Sequence, residues 1–330
     1  MTNACPPRRA ALAAGLAALL PWRGAFAQQQ PFPDHALKWI VAYAAGGGTD
    51  TLARMIAASL SPRLGQPVVV DNRPGAATNI GAEAAAKSPP DGYTLFSADN
   101  GTLVFNPALF RDLPYDPQRD FRPVGLMARF HLVLTVKQNS PFTSAQAMVD
   151  AAKAKPGEID YGSPGVGSPH HLTMERLAKE AGVRFSHVPY RGAAPALNDL
   201  LAGTLEAMVL DLPSGLEYLR SGRVKPLAIC SATRHPGLPE VPTIQEALGI
   251  GRFEAYAWQG MVVPARTPAA IADRLTAELA RALQDSAVTD KMRGIGLEPL
   301  TGGPDEFKTL IEAERAVWVP LIKERGIVLD

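Results

Sequence analysis

Apolar, strand-like segments alternate with helix-like segments along nearly the whole 330-residue chain. This alternation constrains the fold more than any other feature, because it favours an α/β architecture with largely parallel sheets. The predicted helices cover residues 49–64, 143–155, 172–181 and 193–202, with two more after Pro268 and from Pro304, and Pro320 is expected to bend or end the last one. The predicted strands are KWIVAYA, PVVVD, YTLFSA, HLVLTV, EIDYG, FSHVPY, EAMVL, KPLAIC and AYAWQGMVV.

One strand–glycine–helix unit occurs twice. The first runs through the glycines of AAGGGTD into a helix, and the second runs through those of YGSPGVGS, over a hundred residues later. Helix N-termini carry unpaired N–H groups and partial positive charge, so a glycine turn there can bind an anion without lysine or arginine. Neither turn contains a basic residue. For one turn alone a purely structural connection is an equal explanation, but the duplication suggests two lobes that hold one small anion, most simply a carboxylate.

The first turn also partly matches a dinucleotide-binding fingerprint. Gly46, Gly48 and Thr51 stand at the three glycine positions, and Asp71 ends the next strand-like run, twenty residues beyond Thr51. This pattern would indicate an exported NAD(P)-dependent oxidoreductase. The third glycine is missing and soluble dinucleotide is scarce outside the cytoplasm, so this reading is the alternative to a carboxylate-binding protein.

The N-terminus has the parts of a secretory signal. Two consecutive arginines precede an apolar run over residues 10–20, and Ala25, Phe26 and Ala27 form a small-x-small cleavage site. We expect export to the periplasm and cleavage after Ala27, so that 330 less 27 residues leaves a mature chain of 303. The apolar run is about eleven residues, too short for a membrane-spanning helix.

Charge and cysteine content argue against several function classes. Removing the three arginines of residues 1–27 from 33 basic residues leaves 30 against 32 acidic ones, a formal charge of −2. This balance, without basic clusters, argues against nucleic acid and anionic membrane surfaces as partners. Cys5 leaves with the signal, so Cys230 remains alone and the mature monomer has neither a disulfide nor a cysteine metal site. We expect no cofactor.

The sequence contains no recognisable catalytic set. It has neither a G-x-S-x-G elbow nor an H-E-x-x-H motif, and its carboxylates are scattered, so we interpret the chain as a binding protein and not an enzyme. His170 and His171 are adjacent on a helix, where their side chains diverge, so no metal site is predicted. His171 is expected to donate a hydrogen bond at the cleft, and its neighbour is explained as a surface residue.

Several polar residues are candidates with two explanations each. Asn72 and Asn100 follow predicted strands, where open α/β sheets bind ligands, although asparagine also serves turns on its own account. Asp50 and Asp211 suit either a ligand contact or a helix cap, and Asp211 could receive a ligand amino group. Arg191 either places a cation near the cleft or forms a surface salt bridge.

The chain also carries a family resemblance, in seven stretches that cover nearly the whole mature sequence in one order. They are AAGGGTDTLAR, LGQPVVVDNRPGAATNIGAEAAAKSPPDGYTL, NPALF, YGSPGVGSPHHLTMERL, HVPYRGAAPALNDLLAGTLEAM, LPEVPTIQEALG and AWQGMVVPARTP. In these stretches the chain resembles the Bug-type solute-binding receptors of tripartite tricarboxylate transporters.

This resemblance implies a two-lobed periplasmic binding protein, a Venus flytrap of type II-like build with a mainly parallel sheet in each lobe. Such a protein closes on a small carboxylate and delivers it to the membrane permease subunits of its transporter, and we expect it to be a monomer. The implied crossings between lobes, near Arg129 and Phe253, give lobe 1 residues 28–128 and 253–330, and lobe 2 residues 129–252.

The resemblance also implies that backbone amides and ordered waters hold the ligand carboxylate. Pro164 departs from the small polar residue usual in that loop. A contact of this kind is indifferent to the rest of the ligand, so di- and tricarboxylates, amino acids and aromatic acids all remain candidates. The predicted site comprises Ala45, Gly46, Gly47, Gly48, Thr49 and Asp50 in lobe 1, Ser163, Gly165, Gly167, Ser168 and His171 in lobe 2, and the additional candidates Asn72, Asn100, Arg191 and Asp211.

Overall fold

The structure is a computed structural model that describes residues 1–2 and 32–329. The predicted signal sequence and its cleavage site after Ala27 lie, apart from residues 1–2, outside the described residues. The chain divides into two units, Met1–Pro31 and Phe32–Asp330, and the second contains the helices and strands given next. In the described ranges no helix is long and apolar enough to cross a membrane.

Parallel strands alternate with helices up to residue 120. The central strands have side chains packed on both faces, as the continuous apolar runs of their sequences predict. The elements are β1 (Leu37–Val41), α1 (Gly48–Leu64), β2 (Val68–Asn72), α2 (Asn79–Ala86), β3 (Thr94–Asp99), α3 (Asn106–Leu109) and α4 (Pro117–Asp120), with a 3-10 turn at Ala76–Thr78 and a π-helical segment at Gly101–Phe105.

The next segment alternates in the same way. All but one of its helices begin at side-chain caps, because Ser, Thr and Asp oxygens accept from the free N–H groups of the first turn. The exception begins after Gly192. The elements are β4 (Phe121–Lys137), α5 (Ala145–Ala154), β5 (Asp160–Ser163), α6 (Pro169–Ala181), β6 (Ser186–Pro189), α7 (Ala193–Ala202), β7 (Ala207–Asp211), α8 (Leu212–Arg220), β8 (Val224–Ile229) and α9 (Ile244–Leu248).

The C-terminal segment returns to the first strands. It comprises β9 (Tyr256–Pro264), α10 (Ala269–Gln284), α11 (Ser286–Gly294), β10 (Leu297–Pro299) and α12 (Pro304–Glu324). Pro320 does not end the last helix, because α12 continues through it to Glu324, and a bend at Pro320 stays a prediction. Leu321 and Ile322 are buried in the core, and this packing offsets the hydrogen bond that the proline removes.

The long strand β4 belongs to both halves of the sheet. Residues 121–131 pair antiparallel with β9, and residues 132–137 pair antiparallel with β7 and β8. Around this strand the order is β2-β1-β3-β9-β4-β7-β5-β6, with β8 and β10 also on β4. Each half therefore contains a parallel trio, β2-β1-β3 in one and β6-β5-β7 in the other.

All nine predicted strands are present. The sequence patterns missed the first half of β4, FRPVGLMARF, because Pro123 and Gly125 are poor strand residues. The strand tolerates them where its register with β9 shifts, between residues 123 and 125. The carboxyl ends of the parallel strands in each half carry the two glycine turns.

Candidate functional site

The first glycine turn joins β1 to the N-terminus of α1. Gly46 has a φ of +83°, a conformation that favours glycine, and no atom lies within 4 Å of a Cβ built there. Gly47 is the N-cap of α1 and provides no side-chain hydrogen bond to the helix. The N–H groups of the first helical residues, Gly48 to Asp50, thus lack both an intrahelical partner and a side-chain cap.

Asp50 fixes the conformation of this turn from inside. Its side chain is 4% exposed and accepts the Gly46 N–H at 2.8 Å, the Asn72 amide at 2.9 Å and Arg54 Nε at 3.0 Å. Asn72 also donates to the Tyr43 carbonyl at 3.0 Å. Burial alone would raise the pKa of Asp50, but the hydrogen bonds from Arg54, Gly46 and Asn72 hold it below its ordinary value. Asp50 and Asn72 therefore order the turn, and the Gly46 N–H is already occupied.

The second glycine turn, between β5 and α6, is also held by side chains. Ser163 Oγ accepts the Gly165 N–H at 3.2 Å, and His171 Nδ1 accepts the Gly167 N–H at 3.1 Å. Ser168 caps α6 by accepting the His171 N–H at 3.2 Å. The structure thus brings together all five residues that were predicted for this turn, in one network of short contacts.

His171 accepts a hydrogen bond where the sequence suggested a donor. Its buried ring stacks on His187, with 4.0 Å between ring centroids. Burial, followed by the neighbouring His187, lowers the pKa of His171 to about 3, so the ring is neutral at physiological pH. With Nδ1 accepting from Gly167, the ring proton lies on Nε2, and the residue supports the turn.

Each turn lies at the boundary with the other half of the molecule. A Cβ built on Gly48 would lie 3.1 Å from Phe130 Cε1 and 3.4 Å from Pro213 Cβ, the latter in α8. One built on Gly167 would lie 2.5 Å from Leu109 Cδ1, in α3. The first turn is therefore packed near α8 and the second near α3. This arrangement is compatible with a ligand that is enclosed between the two halves.

A sequence model described as "Tripartite tricarboxylate transporter family receptor" matches residues 52–327. The chain belongs to this family. It is 36% identical to protein BugT of Bordetella pertussis over 299 residues, which is 90% of this chain and 91% of BugT. The family is one of receptors, so the sequence interpretation as a Bug-type receptor is confirmed.

Solved structures of similar proteins agree with this family assignment. An R. palustris protein, Rpa4515, solved with adipate, is 38% identical with a TM-score of 0.84, covering 90% of this chain and 99% of that one. MatC from Rhodopseudomonas palustris, solved with bound malate, is 31% identical with a TM-score of 0.80, covering 88% and 100%. The periplasmic binding protein BugD is 32% identical with a TM-score of 0.81, covering 90% and 99%. The predicted two-lobed α/β fold class is thereby confirmed.

The receptor family gives no support to the dinucleotide hypothesis built on Gly46, Gly48 and Asp71. In the receptor structure the Asp71 carboxylate is paired with Arg73 at 2.8 Å, where a dinucleotide site would need it for a ribose. Thr51, in place of the third glycine, lies inside α1. No cluster of three or more metal-ligating side chains occurs in the part of the chain that the structure describes.

The remaining predicted residues of the receptor lie in different environments. Asp211 accepts the Ser214 N–H at 3.0 Å, which caps α8, and also contacts His170. Asn100 is completely buried and donates to the Tyr256 carbonyl at 3.0 Å. Ala45 and Arg191 are exposed, and Arg191 takes part in none of the ion pairs found among the described residues. Their roles in binding stay predictions.

Two residues that the sequence analysis missed contact this site. Gln259, which is 4% exposed, donates from Nε2 to Thr49 Oγ1 at 3.2 Å, and its Oε1 is buried without a partner among the described residues. Its position as the one amide within the apolar run AYAWQGMVV could have revealed it. His170 is buried beside Asp211, although the sequence assigned it to the surface.

Proposed function

We propose that this receptor captures a small carboxylate between its lobes and delivers it to membrane permease subunits of a tripartite tricarboxylate transporter. The observation that carries the proposal is the pair of glycine turns, each at a helix N-terminus and each packed near a helix of the opposite half, α8 for the first turn and α3 for the second. Helix N-termini favour anions, and neither turn contains a cation that would replace them. Adipate and malate, found with similar proteins, are both carboxylates.

The pairing of β4 supports the predicted lobe boundaries. Its partners change between His131 and Leu132, which supports a crossing near Arg129 and a return near Phe253. Lobe 1 then comprises residues 28–128 and 253–330, and lobe 2 comprises residues 129–252. The strands β4 and β9 connect them and form the hinge.

The receptor acts in the periplasm after cleavage behind Ala27, as a monomer, without enzymatic activity, cofactor, metal or nucleic acid. The near-neutral charge argues against nucleic acid as a partner, and the small-x-small motif supports export. The family description, a receptor of a tripartite transporter, supports delivery to a permease.

A thermal-shift screen of the mature protein against di- and tricarboxylates, amino acids and aromatic acids tests the proposal. A ligand present at 100 times its Kd stabilises the folded state by about 2.7 kcal/mol, which raises Tm by several degrees. Calorimetry then gives the Kd of each positive compound. A shift with NAD or NADP but with none of the carboxylates would instead favour the oxidoreductase hypothesis.

A further inference from the structure

His170 and Asp211 form a buried pair on lobe 2. His170 is the second residue of α6 and Asp211 the last residue of β7, and the distance from His170 Nε2 to Asp211 Oδ2 is 3.1 Å. His170 is 9% exposed and Asp211 7%. The other ring nitrogen, His170 Nδ1, is buried and has no hydrogen-bond partner among the described residues. A buried polar atom without a partner costs free energy, so a ligand group that bonded to Nδ1 would remove that cost.

The ionisation of Asp211 decides which ring nitrogen carries the proton. Burial opposes its ionisation, but the hydrogen bonds of His170 and Ser214 and the charge of His170 hold the pKa of Asp211 below its ordinary value. An ionised carboxylate only accepts hydrogen bonds, so His170 Nε2 carries a hydrogen and donates it to Asp211. Nδ1 then has a lone pair in the neutral ring and becomes a donor when the ring is protonated.

The pair lies between the two glycine turns. His170 follows Ser168, the N-cap of α6, by two residues. Nδ1 is bonded to the ring carbon nearest the backbone, so it lies closer to the first turn of α6 than Nε2 does. On the other side, Asp211 caps α8, whose Pro213 is 3.4 Å from a Cβ built on Gly48. An anion held at the N-termini of α1 and α6 would therefore be close to this ring.

We propose that His170 binds a carboxylate oxygen of the ligand through an Nδ1–H group and takes up one proton as the ligand binds. This inference rests on the proposed receptor function. The proton comes from solvent and forms the Nδ1–H bond, while Nε2–H stays on Asp211, whose negative charge stabilises the imidazolium. Without a ligand, a protonated Nδ1 would be a buried donor with no acceptor, so protonation and binding favour each other.

The surrounding titratable groups leave this role to His170. Burial lowers the pKa of His187 to about 4, and His171 is neutral, so neither ring takes up a proton near pH 7. The remaining ionisable groups on α6 are engaged elsewhere, in the contacts Tyr161–Glu175, Arg325–Glu175, Arg176–Glu180 and Lys179–Glu324.

Calorimetry with a carboxylate from the screen, with malate and adipate as the first probes, tests the proposal. Titrations at pH 7.5 in two buffers of different ionisation enthalpy should report uptake of close to one proton per ligand bound. Affinity should fall as pH rises, approaching about tenfold per pH unit, because one proton is taken up with each ligand bound. His170→Gln should abolish the uptake and weaken binding at pH 6 by about ten- to a hundredfold, the range for a lost charge-assisted hydrogen bond.

Two further variants separate this role from a structural one. His35→Gln, at an exposed histidine, should bind as the wild type does. Asp211→Asn keeps a good N-cap for α8 but removes the carboxylate, so it should fold normally and lose proton uptake. Binding without proton uptake, unaffected by His170→Gln, would overturn the inference and leave the receptor function intact.

A readout without ligand is available from histidine 15N NMR, with the His170 signals assigned by their loss in His170→Gln. In the unliganded protein at pH 7.5 we expect the proton on Nε2. A proton on Nδ1 would contradict the geometry on which the inference rests. If no carboxylate binds to the wild-type protein, the proposed function itself fails, and this inference fails with it.

Discussion

Single residues set the chemistry of the first turn. Asp50 accepts the hydrogen bond of the Gly46 N–H, so the N–H groups that remain available to the proposed ligand are those that follow, at the start of α1. The buried negative charge of Asp50 therefore lies next to Thr49, while the side chain of Asp50 leaves the first N–H groups of α1 without a hydrogen bond. The turn is thereby preorganised, and a ligand does not have to provide the free energy of ordering it.

Gly47 allows the helix-terminus account to be tested. Its backbone is extended, with φ −77° and ψ 171°, and a Cβ there would meet only the Ala44 carbonyl at an ordinary 3.5 Å, so side chains are tolerated. Gly47→Asn and Gly47→Asp both introduce a cap for the free N–H groups, and only the second adds charge. We expect Gly47→Asn to weaken carboxylate binding about tenfold and Gly47→Asp about a hundredfold or more, since a charge-assisted contact is replaced by repulsion.

Gly47→Ala, which adds neither cap nor charge, is the matched control and should bind within about threefold of the wild type. Calorimetry on one ligand gives the affinities, and circular dichroism checks that Tm is unchanged or slightly raised. Normal binding by folded Gly47→Asp would show that the carboxylate is not held at this helix.

Sequence reasoning found the turns but not their partners. Glycines at a strand–helix junction can be read from a short stretch, because the turn conformation is local. The contacts Asp50–Asn72 and His170–Asp211 join residues 22 and 41 positions apart. They depend on which strands are neighbours in the sheet, and the pattern of apolar residues along one strand does not contain that information. For the same reason His170 was assigned to the surface.

At the scale of elements, α12 contributes a buried carboxylate to the first half of the sheet. Glu314 accepts from the indole N–H groups of Trp258, in β9, at 3.3 Å and of Trp318 at 3.0 Å. Burial raises the pKa of Glu314 to about 7, although these hydrogen bonds oppose the shift. Asn100 lies at the same place and also lowers the pKa, so its buried side chain has a structural use.

Glu314 should make stability depend on pH. The carboxyl is protonated in the folded protein up to about pH 7, but in the unfolded chain only up to about its ordinary value of 4.5. The folded state therefore binds more protons between these values, and the free energy of unfolding decreases as pH rises, by at most about 1.4 kcal/mol per pH unit. Glu314→Gln should remove this contribution, so that its free energy of unfolding falls less, or rises more, between pH 5 and 7 than that of the wild type, as measured by urea unfolding from pH 5 to 8.

Glu312→Gln, at an exposed carboxylate of the same helix, is the control and should keep the wild-type slope. Parallel pH profiles for the wild type and Glu314→Gln would rule out a neutral Glu314 in the folded protein.

Elements were predictable where burial produces a simple pattern. The strands β1, β2, β3 and β7 contain apolar runs and were found, and so were the shorter and more polar β5 and β6. The first half of β4 and the end of α12 were not, because each contains a proline that tertiary packing tolerates. Local propensity was overruled there by burial of Val124, Met127 and Leu321.

At the scale of the whole molecule, α6 and α12 are connected by ion pairs. Lys179 pairs with Glu324, and Arg325 pairs with Glu175 at 3.2 Å. Arg176 of α6 also packs on the Phe253 ring, 4.7 Å from its centroid, next to the strand β9. These contacts lie between the proposed lobes, beside the hinge strand β9.

We expect the lobes to close when a ligand binds, because each turn alone is a shallow, open helix terminus. Small-angle scattering should give a smaller radius of gyration with a confirmed carboxylate than without it. Gly47→Asp, which should not bind, serves as the control and should keep the unliganded radius under the same conditions. An unchanged radius for the wild type at saturation would favour a rigid pocket.

The export prediction is tested by intact mass. Protein recovered from the cell envelope should begin at Gln28, since cleavage follows the small residues Ala25 and Ala27. Ala27→Tyr, with a large residue at the cleavage site, should retain the full-length mass. Recovery of the wild-type chain only in the cytoplasm and at full length would contradict export.

The shared strand β4 has a consequence for recombining receptors of this family. In a chimera with a single crossover inside β4, the strand or its partner strands would come from two different parents. Residues 121–131 pair with β9, and residues 132–137 pair with β7 and β8, so one of these pairings would always be mixed. Lobe 2 can therefore be exchanged between relatives only as an insert with two junctions, one in β4 and one before β9. Such an insert would contain lobe 2 together with part of the hinge. The ligand affinity and the closing motion of the donor receptor would therefore be transferred together.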